Sequence, residues 1–118
     1  MNRDQQLWTA KRMVIALDEE GYTPPLPKQY YLPGREGLAT FKMFLHNMKL
    51  THWISSHDEK IATHIANILC GGDTTINSPV SEATILDLER EAFLSLCGEP
   101  KTQERIQYML LNNKPLRN

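Results

Sequence analysis

Long apolar runs are missing from this chain. Nowhere in its 118 residues does it approach the roughly 20 consecutive apolar residues that cross a bilayer, so no membrane insertion is expected. The opening Met1-Asn2-Arg3-Asp4-Gln5-Gln6 lacks the apolar centre of a signal peptide. Cysteine is scarce. Cys70 and Cys97 stand alone, and without CxxC spacing they indicate neither a zinc site nor a disulfide scaffold. A reducing, cytoplasmic compartment is the simplest expectation. An excess of one charge is missing too. The 13 basic and 14 acidic side chains leave a net charge of −1. Residues 1–60 carry 8 basic and 7 acidic groups, and residues 61–118 carry 5 and 7. Nucleic acid as a partner is not expected, because such binding usually needs a basic field.

The compact motifs of catalysis are absent as well. Gly71-Gly72 is too short for the GxGxxG or GxxxxGK loops that cradle phosphates. No GxSxG surrounds Ser55 or Ser56. The histidines His46, His52, His57 and His64 show no HExxH or comparable ligand spacing, and a metal site needs three or four converging ligands. They read as surface or edge residues. A histidine base also needs an orienting partner and a nucleophile, and Ser56 reads better as a helix cap. No catalytic residue and no metal ligand is therefore expected.

What is present is helical patterning. Five helices are expected, with little strand signal, in a single all-α domain spanning residues 1–118. The first covers about 3–20, with Asn2 as N-cap, Asp4 in the first turn and Gly21 as the terminating residue. Leu7, Trp8, Ala10, Met13, Val14 and Leu17 cover more than half its circumference, so this helix needs more than one apolar neighbour. Residues 22–34 hold Pro24, Pro25, Pro27 and Pro33, which forbid a helix and favour an extended strap lying on the surface. The second helix starts near Arg35 and runs to Leu50 or slightly beyond, with Leu38, Phe41, Leu45 and Met48 inward. The third starts at Ser56 with a Ser56–Glu59 capping box, turns Ile61, Ile65, Ile68 and Leu69 inward, and ends at Gly71-Gly72. The fourth begins at Ser81, with Val80 and Ile85 as a hydrophobic staple. Ile85, Leu88, Ala92, Phe93 and Leu96 face inward, and Gly98 terminates it. Pro100 opens a fifth helix that buries Ile106, Met109 and Leu110. The last two helices form a C-terminal hairpin.

One charge pattern bears on binding. Arg35, Lys42 and Lys49 are spaced by seven and form a stripe that drifts only about 20° per heptad. Such a stripe meets a phosphate or an acidic partner, or lies solvated over apolar neighbours. Asp87 and Glu91 form an outer i, i+4 pair on the fourth helix, with Glu89 near its apolar face.

The stretch Asp87-Leu88-Glu89-Arg90-Glu91-Ala92-Phe93-Leu94-Ser95-Leu96-Cys97-Gly98-Glu99, then Lys101-Thr102-Gln103-Glu104-Arg105-Ile106 and Lys114-Pro115-Leu116, resembles the extreme C-terminus of bacterial 3-hydroxyacyl-CoA dehydrogenases fused to an enoyl-CoA hydratase, enzymes of fatty-acid β-oxidation. Gly21-Tyr22-Thr23-Pro24-Pro25, Gly34-Arg35 and His57-Asp58-Glu59 resemble the same family in the same order. The resemblance implies a C-terminal helical domain whose parent uses NAD and acyl-CoA, with the dinucleotide fingerprint and catalytic residues upstream and no cofactor held by this part alone. It implies an upstream crotonase-type hydratase domain as partner, with terminal helices lying over the acyl-CoA site and at subunit contacts, and a homo-oligomer as a further assembly. It carries Lys114 over as a CoA-phosphate neighbour, beside Lys42 and Lys49 of the stripe. Thr102-Gln103-Glu104-Arg105-Ile106-Gln107 departs from the family's usual Glu-Gly step and aromatic residue. The alternative reading is an independent helical module that binds another protein or the phosphates of CoA.

Overall fold

Turn chemistry divides this chain into helices at nearly every boundary. A computed structural model describes residues 3–118. It contains α1 (Arg3–Glu19), β1 (Gln29–Tyr31), α2 (Gly34–Leu50), α3 (Ser56–Leu69), β2 (Pro79–Ser81), α4 (Glu82–Cys97) and α5 (Pro100–Asn112). The fold is essentially all-α. The expected cap Asn2 and the side chain of Asp4 lie outside the described residues.

Gly21 closes α1 as expected. Its N–H donates to the Asp18 carbonyl at 3.0 Å and the Tyr22 N–H to Leu17 at 2.9 Å, the paired bonds of a Schellman ending. The cap of α3 is Ser55, one residue before the one expected. Ser55 has the extended backbone a cap needs, and its hydroxyl accepts from the Asp58 N–H at 3.1 Å. Asp58 accepts in return from the Ser55 N–H at 2.9 Å. Ser56 is already helical, and Glu59 is free to point elsewhere. Ser81 caps α4 through the Thr84 N–H at 3.1 Å, and Pro100 occupies the first turn of α5.

Three residues of the proline strap form a strand. Gln29–Tyr31 pairs antiparallel with Pro79–Ser81, Tyr30 opposite Val80. The strap's prolines lie outside these three residues, so every N–H needed for pairing is present, and Pro79 stands first in its strand, where a missing N–H is tolerated. Leu32 and Val80 converge on Gly71, and Leu88 of α4 lies over Gly72 so closely that an added Cβ would meet its side chain at 3.0 Å.

The helices form a row. α2 packs on α3, α3 on α4, and α4 on α5. Each helix packs mainly on its neighbours, so burial is confined largely to the seams. The buried apolar side chains are Ala66, Cys70, Val80 and Ala92, all small, as close helix approach requires. Several expected inner positions are instead exposed: Phe41, Ile65, Leu69, Phe93, Ile106, Met109 and Leu110. Periodicity identified the apolar faces, but this chain supplies one helical layer, and a core needs two. The accessible surface is 9598 Å², against about 6,600 Å² for a compact monomer of this mass. The radius of gyration is 20.4 Å, against about 13 Å for a compact chain of this length. α1 makes no extensive contact with another element among the described residues.

The start of α2 is the tightest junction. Gly34 has φ +64, its N–H donates to the Cys70 carbonyl at 3.0 Å, and Arg35 donates to Thr74 at 2.8 Å. A Cβ on Gly34 would fall 2.6 Å from the Thr74 carbonyl oxygen and 2.8 Å from the Ile76 nitrogen, backbone atoms that cannot rotate away. Gly34→Ala is expected to cost about 3 kcal/mol, from the left-handed backbone and the overlap together. Urea unfolding of wild type and variant measures this, and equal midpoints contradict it.

Candidate docking surface

The basic stripe is partly neutralised. Lys49 pairs with Glu59 at 2.6 Å, and His46 reaches the same carboxylate at 3.5 Å. Arg35 faces Asp73 at 3.4 Å. Lys42 and Lys114 are exposed and have no ion-pair partner among the described residues. Lys42 and Lys49 stand two turns apart on α2, and Lys114 lies in the tail beyond α5. Asp87, expected on the outer, solvated side of α4, accepts from Arg90 at 3.0 Å.

A polar clasp ties α5 to α3. His57 is buried, contrary to its expected surface position, and its Nε2 shares a hydrogen bond with the Thr102 hydroxyl at 3.0 Å. Arg105 donates to Asp58 at 2.8 Å and to the Asn118 side chain at 2.7 Å. Lys60 pairs with Glu99 at the hairpin turn. Nothing in sequence spacing joins positions 45 or 47 residues apart. The only sequence signal was chemical, a histidine and an aspartate in the first turn of a helix. Burial pushes the Asp58 carboxyl up, but the Ser55 N–H, the Arg105 guanidinium and the Ser55 hydroxyl outweigh it and hold the group at about 2. Burial lowers the His57 pKa, helped by Arg105 and Lys101 and opposed by Glu99 and Asp58.

Beside the clasp, a cavity of about 550 Å³ opens between the α2–α3 turn and the tail, with Trp53, Asp58 and Arg117 on its walls. Ser55, on the same wall, serves as the cap of α3. Among the described residues no three His, Cys, Asp or Glu side chains are placed to hold a metal ion, and no helix is long and apolar enough to cross a membrane.

What the surface offers instead is apolar area. Leu7, Trp8, Met13, Val14 and Ile15 of α1, Phe41 and Phe44 of α2, Leu86, Phe93 and Leu94 of α4, and Leu110 and Leu111 of α5 are all exposed. Contiguous exposed apolar patches are a signature of interaction surfaces. Over all 118 residues the chain is 42% identical to a protein of Bacillus subtilis (strain 168) described as a probable 3-hydroxyacyl-CoA dehydrogenase, and it spans 15% of that protein's length. The chain is similar to a piece of a dehydrogenase. A whole-length match to a short stretch of a longer protein is consistent with a C-terminal domain of such a dehydrogenase. No family model matches the chain, and no solved structure does.

The clasp makes the fold sensitive to acid. The fold lowers the His57 pKa below its ordinary value of 6.5, so as pH drops below 6.5 the unfolded chain takes up a proton that the fold resists. Stability therefore falls as pH drops below 6.5. A second loss follows between the ordinary Asp58 value of 3.8 and about 2, because the folded carboxylate resists protonation longer than the unfolded one. His57→Gln keeps a partner for Thr102 and is expected to flatten the first loss while leaving the second. Urea midpoints across pH measure both, and an unchanged slope just below pH 6.5 contradicts the assignment.

Proposed function

We propose that this chain is the non-catalytic C-terminal helical domain of a cytoplasmic 3-hydroxyacyl-CoA dehydrogenase fused to an enoyl-CoA hydratase, an enzyme of β-oxidation. In this reading it covers the acyl-CoA site of an upstream crotonase-type hydratase domain or mediates domain and subunit contacts. NAD binding and both chemical steps reside upstream. The observation that carries the reading is the 42% identity over the whole chain to 15% of a longer dehydrogenase. The exposed apolar row supports it, since a single layer of helices has its second layer to find elsewhere. Lys42 and Lys114 are the cations left to meet a CoA phosphate, because Lys49 is occupied by Glu59.

The purified 118-residue chain is expected to show no reduction of acetoacetyl-CoA by NADH and no hydration of crotonyl-CoA above the rate in buffer. Turnover that persists through purification overturns the reading.

A further inference from the structure

We propose that α1 is an exchanged arm, which docks on the helical row of a second copy of this chain and receives the other copy's arm in return. The pairing goes beyond the domain reading above and does not depend on it. Four observations carry it.

The first is the helix itself. Leu7, Trp8, Met13, Val14, Ile15 and Leu17 are 43–68% exposed. At 100° per residue they span about 220° of the circumference, well beyond the stripe of a surface helix. A helix of that kind is completed by a groove that touches it on two sides. The second is the tether. Residues 22–28 have no regular structure and include Pro24, Pro25 and Pro27. A proline-rich segment is a semi-rigid, extended spacer of about 3.1 Å per residue, which holds α1 off its own body and opposes closure within one chain. β1, paired to β2, anchors the far end of that spacer.

The third observation is charge. α1 carries three basic and three acidic residues, so it has no net field, and the chain's net charge is −1. Two copies meet without appreciable repulsion, whereas nothing here favours a strongly acidic or basic partner. The fourth is area. The surface exceeds that of a compact monomer by about 3,000 Å². A stable contact hides about 800 Å² on each side. Twofold exchange gives every copy two such patches, one on the arm it extends and one on the row it offers, or about 1,600 Å² per copy. The excess accommodates both and leaves area for a further domain. On the receiving row, Ile65 and Leu69 stand exposed one turn apart on α3, the helix at its centre.

Sedimentation of the full chain over a wide concentration range tests this. Wild type is expected at twice 13.6 kDa. Val14→Glu and Ile65→Glu, both at exposed positions, are expected to raise the dimer dissociation constant by about a hundredfold or more, with helical circular dichroism unchanged. Gln5→Glu, on the polar side of α1, is expected to leave it within about threefold. A wild-type chain that stays monomeric throughout overturns the proposal and gives α1 to the upstream polypeptide. A dimer that Val14→Glu leaves intact, or that Gln5→Glu breaks equally, overturns it as well. The turnover assay is independent of these outcomes, so failure of the pairing and failure of the domain reading are told apart.

Discussion

Helices laid side by side in one row bury only what lies in the seams between them. That constraint governs this chain. At a seam the backbones must approach closely, so the buried positions go to Ala66, Cys70, Val80 and Ala92, with Gly71 and Gly72 admitting Leu32, Val80 and Leu88. The larger apolar side chains remain exposed. Each Leu, Ile or Phe covered by a second layer contributes about 2 kcal/mol. Each solvent-facing ion pair contributes no more than about 1 kcal/mol. Covering a few of these side chains therefore outweighs all the exposed ion pairs along the row, and docking becomes the main source of stability still to be gained.

The polar clasp follows from the same constraint. α5 has little apolar contact with α3, so its position rests on named polar links: His57 to Thr102, Asp58 to Arg105, and Lys60 to Glu99. Such links fix direction well and contribute modestly. They orient the hairpin, leaving the face that carries Leu110 and Leu111 available to a partner.

Local signals in the sequence were legible because they act within a few residues. Gly21 at the end of α1, Ser81 before α4, and Pro100 at the start of α5 all do locally what their chemistry implies. The α3 cap slipped by one because Ser55 and Ser56 each stand three residues before a carboxylate, and only the backbone at Ser55 distinguishes them. The β1–β2 ladder was hidden because three paired residues within a proline-rich strap make no alternating pattern. Periodicity marked the apolar faces but not whether this chain covers them, since that depends on how many layers it supplies. Lys42, Lys49 and Lys114 fell on predictable elements, yet the capture of Lys49 by Glu59 depends on α2 packing against α3. The His57 and Arg105 contacts were equally out of reach, because they join segments brought together only by the hairpin.

A chain that matches 15% of a longer protein also presents one uncovered layer, and the proposed function makes a longer polypeptide the source of its cover. Amide hydrogen exchange tests this most directly, comparing the 118 residues alone, dilute enough to be monomeric, with the same residues inside the longer polypeptide proposed above. Amides of α1, α4 and α5 are expected to exchange at least about a hundredfold more slowly in the longer polypeptide, as covering two or more large apolar side chains requires. Equal exchange rates in the two settings contradict the existence of a covering layer.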